Sequence, residues 1–355
     1  MLLRSPCRIP GGDGLASRRV NKSSLIMAST NDSHARIAEL DEKPWEVLSR
    51  QVSEFTEQLA CVPDAHSATN SGYPKISVVI PSYNQVQFLE MTLRSILNQD
   101  YPNTEIIIMD GGSTDGTVEL LKQYERYVSY WVSEPDKGQA AAINRGMAMA
   151  TGQLIGWQNS DDLYLPGYFQ LVADALQKYP DGDLFFGNVY LIDDQNNVFQ
   201  DSRFVPFSLR ELSCLGWNLS SQAVFIQRSL LTRVGPMRED ISVGFDWDWF
   251  IRMGQIVSRP ILLGQSGGCY RVHPASKLST ESAAKRAQIE QDIRRTHGIP
   301  SSEDEGIGFC LKIWLVLRRK CFRVLLYSRF PGLVWLRPML IRTLERVGVV
   351  CYGFI

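Results

Sequence analysis

Residues Lys75–Asp162 read KISVVIPSYNQVQFLEMTLRSILNQDYPNTEIIIMDGGSTDGTVELLKQYERYVSYWVSEPDKGQAAAINRGMAMATGQLIGWQNSDD. Four short apolar runs stand out in this stretch: Ile76–Pro81, Glu105–Met109, Tyr127–Ser133 and Gln153–Trp157. They are rich in β-branched residues and too short for helices. Between them lie segments of helical spacing. Val86–Asn98 places Phe88, Leu89, Leu93, Ile96 and Leu97 on one side, a second helix runs from Asp115 to about Tyr124, and a small-residue helix spans Gln139–Ala150. Buried strands alternating with helices predict a parallel α/β sheet, whose ligands bind at the carboxyl ends of the strands.

Those ends are where the polar, Gly-rich residues fall. The first strand runs into Pro81-Ser82-Tyr83-Asn84, the second into Asp110-Gly111-Gly112-Ser113-Thr114-Asp115-Gly116-Thr117, and the fourth into Asn159-Ser160-Asp161-Asp162. Each loop alone is an ordinary strand-to-helix connection with a helix-capping acid. Beyond Asp162 the pattern changes. Strands Asp183–Ile192 and Val198–Phe204 flank a hairpin-like turn at Asp193–Asn197, a loop-rich stretch covers Pro206–Ser221, and a strand at Gln222–Ile226 precedes helices at Ser229–Val234 and Asp246–Ile256. A mixed α/β second half follows.

Taken together and in this order, KISVVIPSYNQVQFLEMTLRSILNQDYPNTEIIIMDGGSTDGT and EPDKGQAAAINRGMAMATGQLIGWQNSDD closely resemble glycosyltransferase family 2. The resemblance covers about Lys75–His273 and is looser after Asp162. It implies a GT-A fold and an inverting transfer of a sugar from a UDP- or GDP-sugar donor to a glycan or lipid-linked glycan acceptor, as in polysaccharide or cell-envelope biosynthesis. It also implies the roles of individual residues. Asp110 accepts from the nucleobase between Pro81 and Tyr83. Asn84, Gly111, Asp136, Lys137 and Gly138 lie near the donor. Asp162 contacts a divalent cation, Mg²⁺ or Mn²⁺, and Asp161 contacts the ribose or the metal. The chemistry suits such residues, because a diphosphate leaving group needs its charge neutralised and these cations accept one or two protein carboxylates when phosphates complete the shell.

Transfer also needs a base for the acceptor hydroxyl. Gly244-Phe245-Asp246-Trp247-Asp248-Trp249-Phe250-Ile251-Arg252 resembles the family's base-bearing helix start and puts the base at Asp246, with Asp248 as the alternative. Phe245 stands where the family usually has Glu, a departure that leaves the register between the two open. In Tyr270–Ser279, His273 is a candidate metal ligand or diphosphate contact, and Arg271 and Lys277 are candidate phosphate contacts. Trp217 and Gln222 fall where acceptor-side loops are expected. Two other readings compete. A nucleotidyltransferase would want a basic, Gly-rich loop after the first strand, which Pro81-Ser82-Tyr83-Asn84 is not; a nucleotide-sugar-binding protein without catalysis would tolerate the Phe245 departure.

The bulk properties agree with a globular enzyme: 355 residues, 44% hydrophobic and 21% charged. Seven scattered cysteines without a CxxC imply neither a zinc site nor a disulfide framework, and point to a reducing compartment. The expected organisation is a disordered extension over 1–37 with no secretory signal, a helix and linker over 38–74, the catalytic domain over 75–298, and a basic tail over 299–355. From Ile307 to Ile355 there are nine Lys/Arg and one acid, Glu345, which leaves 28 basic and 37 acidic residues elsewhere. An acidic body with a basic tail suggests an anionic partner, a membrane surface or nucleic acid, and no nucleic-acid motif accompanies it. Leu311–Tyr327 has Lys312, Arg319, Lys320 and Arg323 toward one side and Leu311, Trp314, Leu317, Phe322 and Leu325 toward the other. That pattern suits an in-plane membrane helix on a cytoplasmic protein; the plainer reading is a helix packed on the catalytic domain.

Overall fold

The computed structural model describes residues 50, 52, 54–56, 72–216, 218–299, 307–327, 337–339, 341–344 and 350–352. These fall in the compact unit Pro44–Ile355. The expected extension over 1–37 and residue Trp217 lie outside the described residues.

The first half follows the alternation that the apolar runs predict. Strand β1 (Ile76–Ser82) leads to α1 (Val86–Leu97), β2 (Thr104–Asp110) to α2 (Thr117–Tyr124), β3 (Tyr130–Ser133) to α3 (Gln139–Met149), and then comes β4 (Leu154–Trp157). Strand β1 is buried along its whole length, as a central strand covered on both faces must be. It pairs in parallel with β2 and β4, and β2 pairs in parallel with β3. All four carboxyl ends therefore open on one edge.

The second half adds β5 (Leu163–Tyr164), α4 (Tyr168–Lys178), β6 (Leu184–Ile192), β7 (Val198–Ser202), α5 (Leu209–Leu215), β8 (Val224–Gln227) and α6 (Arg228–Val234). Then follow α7 (Phe245–Ile256), β9 (Pro260–Arg271), α8 (Lys277–Thr280), α9 (Ala283–Thr296), α10 (Ile307–Tyr327) and β10 (Val350–Tyr352). The sheet order is β10-β9-β6-β8-β4-β1-β2-β3, with β5 on β9 and β7 on β6. Strand β8 runs antiparallel between β4 and β6, so the parallel half and the mixed half meet there. The stretch Pro206–Ser221, expected from sequence to be loop, contains α5, capped by Ser208, whose hydroxyl accepts from the Glu211 amide. The basic tail helix α10 packs on the domain by one face: Leu315 and Leu326 are buried, and the Tyr327 hydroxyl donates to the Phe204 carbonyl at 2.7 Å.

Strand β9 is an element that the apolar pattern misses. Its middle, Gly264-Gln265-Ser266-Gly267-Gly268, has no apolar side chain, yet it pairs with β6 and, at Gly268 and Cys269, with β5. Glycines stand there because other groups approach the backbone closely. A Cβ on Gly267 would lie 2.3 Å from the Tyr168 ring, and one on Gly268 would lie 2.3 Å from the Gln222 carbonyl oxygen and 2.6 Å from that of Leu163. The atoms facing Gly268 are packed backbone that cannot move aside cheaply. Gly268→Ala is expected to lower stability by about 1–3 kcal/mol, read by chemical denaturation; unchanged stability would contradict the close packing.

Candidate active site

Two cavities open along the edge where the strand ends meet. The first, of about 600 Å³, is lined by the β1 and β2 loops (Pro81, Tyr83, Gly111), the β3–α3 loop (Asp136, Gly138) and Asp161. The second, of about 530 Å³, is lined by Trp157, Ser220, Gln222, Asp246 and Tyr270, among others. Gln139, Asn159, Asp161 and Lys277 line both, so the cavities form one cleft with a waist at these four residues.

The loops of the first cavity are tied to one another. The Asn84 Oδ1 accepts from the Thr114 amide at 2.8 Å, and the Asn84 amide donates to the Ser113 hydroxyl at 2.7 Å. Asn84 sits at φ 51°, a left-handed conformation that Asn tolerates better than most residues. Asp110, expected to accept from a nucleobase, is buried and accepts from the Ser113 amide and hydroxyl and from the Ser133 hydroxyl. It stitches the β2 loop to β3, while Gly111 is the member of that loop that reaches the cavity wall. Neither Asn84 nor Lys137 is among the lining residues; Pro81, Tyr83, Asp136 and Gly138 are.

The two adjacent acids divide. Asp162, expected to meet the metal, has no exposed surface, and its carboxylate serves protein donors. Oδ1 accepts from the Arg271 amide at 2.8 Å, and Oδ2 accepts from Asn159 Nδ2 at 2.8 Å and Gln222 Nε2 at 2.5 Å. Burial pushes its pKa well above the ordinary carboxylate value, and the Asp161 charge adds to this, while the three donors oppose it. Asp161 is the acid that faces both cavities, with Oδ2 2.9 Å from Nε2 of the buried His273. The loop that carries the pair is fixed from beneath by the Thr92 hydroxyl of α1, which donates to the Ser160 and Asp162 carbonyls.

Arg271 and Lys277, both expected as phosphate contacts, part in the same way. Arg271 is buried, and its guanidinium donates to the carbonyls of Asp161 and Asp193 and to the Asn196 side chain, over the Phe88 ring. It locks the turn Asp193–Asn197 to the acid loop. Lys277 stands at the waist of the cleft; burial lowers its pKa, and Glu281 and Asp136 oppose the shift.

The alternative between Asp246 and Asp248 is separated by packing. Helix α7 is anchored by Trp249, buried against Trp157 at 5.5 Å between ring centroids, and by the Trp247 indole, which donates to the Leu212 carbonyl. In this setting Asp248 is buried, 3.0 Å from Arg252 Nε and 2.9 Å from His297 Nε2, and does not line the cleft. Asp246 opens onto the second cavity. Its side chain is exposed to solvent within that cavity. Desolvation by the protein atoms around it raises its pKa, against the Trp247 amide and the charge of Lys277. Gln139 and Asn159, joined by a 2.9 Å hydrogen bond, are site residues to which the sequence alone assigns no role. The signal for them is their position, one at the start of α3 and the other opening Asn159-Ser160-Asp161-Asp162.

Known proteins resemble the chain in sequence and in fold. The family model Glycosyl transferase family 2 matches residues 77–232. An uncharacterized glycosyltransferase of Mycobacterium tuberculosis is 31% identical over 194 residues, 54% of this chain and 72% of that protein. The chain belongs to glycosyltransferase family 2. A PGL/p-HBAD biosynthesis glycosyltransferase of Mycobacterium bovis is 30% identical, over 50% of this chain and 69% of its own length. Among solved structures, S. aureus TarS 1-349 in complex with UDP-GlcNAc is 17% identical with a TM-score of 0.54, covering 77% of this chain and 80% of that one, which establishes the GT-A fold. Asp246, His273 and Lys277 lie beyond the segment matched by the family model.

The division of the acids has a direct consequence. Asp162→Ala leaves three buried donors without an acceptor and is expected to cost about 3 kcal/mol of stability, whereas Asp161→Ala, which removes one partner of His273 at the cleft, is expected to cost clearly less. Equal destabilisation of the two variants in urea would contradict the assignment.

Proposed function

We propose that this family 2 enzyme moves a sugar from a nucleotide-diphosphate-sugar donor to a hydroxyl of a glycan or lipid-linked glycan acceptor, with inversion, at the face of a membrane in the cytoplasm. The observation that carries this reading is the shared waist of the two cavities. A donor in the first cavity would bring its anomeric carbon to Asp161, Asn159 and Lys277, and an acceptor in the second would reach the same point beside Asp246. S. aureus TarS, which shares the fold, was solved in complex with UDP-GlcNAc, and this supports a nucleotide-sugar as the donor class.

The steps follow from the groups present. Asp246 takes the proton of the acceptor hydroxyl as its oxygen bonds to the anomeric carbon; the bond from that carbon to the diphosphate oxygen breaks, and the nucleoside diphosphate leaves from the opposite side. A raised carboxylate pKa suits a base that must hold a proton transiently. Lys277 offers positive charge at the waist for the departing diphosphate. Asp161 and His273 would hold a divalent cation, Mg²⁺ or Mn²⁺. Their carboxylate oxygen and imidazole nitrogen, 2.9 Å apart, are a fitting donor pair, with diphosphate and water completing the shell. Among the described residues no cluster of three or more His, Cys, Asp or Glu forms a metal site by itself. When bound, the cation would stabilise negative charge on the leaving group.

Asp246→Asn is expected to lower nucleotide release in a panel of UDP- and GDP-sugars by about a hundredfold to ten-thousandfold, with donor binding retained. The rate of the wild type should fall with decreasing pH as Asp246 protonates, through a midpoint above that of an ordinary carboxylate. Full turnover in Asp246→Asn contradicts the reading, and donor binding without any release in the wild type favours a binding protein.

A further inference from the structure

The large exposed apolar side chains are not spread evenly. Five of the thirteen among the described residues lie on α10: Ile313, Trp314, Val316, Leu317 and Val324. Trp314 and Leu317 are each 55% exposed and Val324 53%. Ile313, Leu317, Lys320 and Val324 recur at helical spacing and form one outward stripe, with Trp314 along one edge and exposed Arg323 along the other. The opposite face is already used. Leu315 and Leu326 are buried, Phe322 packs on the core, and Arg318 and Arg319 pair with the buried Glu211 of α5. The sequence pattern puts Phe322 and Trp314 on the same apolar side; the structure turns Phe322 inward and Trp314 outward. Helix α10 is thus apolar on both sides, and the domain covers one of them.

We propose that the outward stripe of α10 docks in plane on an anionic phospholipid surface, while the inward face stays on the catalytic domain. Charge complementarity selects this occupant. Lys320 within the stripe and Arg323 at its edge are exposed, and the helix carries no acidic residue, so the apolar stripe presents positive charge that attracts anionic headgroups. A second copy fits poorly, because Lys320 interrupts the stripe and self-pairing would bring like charges together on an apolar seam. Among the described residues no helix is long and apolar enough to cross a membrane.

The docking face is joined to the acceptor side of the cleft. Glu211 holds α10 to α5, and the next residue, Leu212, accepts through its carbonyl from the Trp247 indole, beside Asp246. Delivery of a lipid-linked acceptor along this side rests on the transferase reading; the docking itself does not.

The test is sedimentation of the full chain with vesicles of phosphatidylcholine alone and of phosphatidylcholine mixed with phosphatidylglycerol. The wild type is expected to bind the mixed vesicles and to be released by salt. Trp314→Glu/Leu317→Glu and Lys320→Glu are each expected to weaken binding at least about tenfold, with unchanged thermal unfolding and an unchanged thermal shift on adding nucleotide-sugar. Wild-type protein that ignores the mixed vesicles, variants that bind like the wild type, a solution dimer dispersed by the apolar double variant, or binding to single-stranded nucleic acid in place of vesicles would each overturn the proposal. Loss of the nucleotide-sugar shift in the wild type with vesicle binding intact would sink the transferase reading alone.

Discussion

Asp162 has no exposed surface, and its carboxylate gathers donors from three separate parts of the chain: Asn159 beside it, Gln222 before β8, and the Arg271 amide at the end of β9. A buried carboxylate is tolerable when its oxygens are hydrogen-bonded and costly when they are not. The parallel half of the sheet and the mixed half are thereby held at a fixed offset at the point where the cleft crosses between them. Arg271 repeats the device one step further, with its amide on Asp162, its guanidinium on the Asp161 carbonyl, and further bonds into the turn after β6. Glycine in β9 belongs to the same arrangement, because Gly268 lets the backbone of Gln222 come close enough for its side chain to reach Asp162.

With Asp162 turned inward, its neighbour faces the cleft. Asp161 stands at the waist with Asn159, Gln139 and Lys277, and His273 is fixed behind it by Phe88, 4.8 Å between ring centroids. Asp246 reaches the same place from the far side because Trp249 and Phe250 anchor α7 on Trp157. The cleft thus combines one carboxylate at the waist, one cation beside it, and a second carboxylate whose pKa is raised by its surroundings. The proposed displacement draws on each of these three groups.

Much of this is legible in the sequence. The β-branched runs at Ile76, Glu105 and Gln153 mark the parallel strands because burial on both faces demands continuous apolar residues. The acids and glycines at their ends mark the cleft. The register of adjacent acids is not legible: whether Asp161 or Asp162 faces inward is decided by Arg271 and Gln222, which are distant in the chain. Asp110 and Arg271 are residue types suited to ligand contact, but the structure employs them in holding loops together. Strand β9 and helix α9 escape the apolar pattern for opposite reasons. Close packing replaces the apolar side chains of β9 with glycine, and among the described residues of α9 only Ile293 is fully buried, so its pattern is nearly all polar.

The central claim is that the loops at the carboxyl ends of β1, β2 and β3 form a nucleotide-diphosphate site closed by Asp161 and Lys277. Calorimetric titration of the full chain with UDP and GDP, in the presence and absence of Mn²⁺, tests it most directly. Saturable binding of at least one of the two is expected, strengthened by Mn²⁺ in the wild type, with the Mn²⁺ effect lost in Asp161→Ala and the affinity weakened in Lys277→Ala. Absence of binding to either nucleotide, or a Mn²⁺ effect that survives in Asp161→Ala, would contradict it.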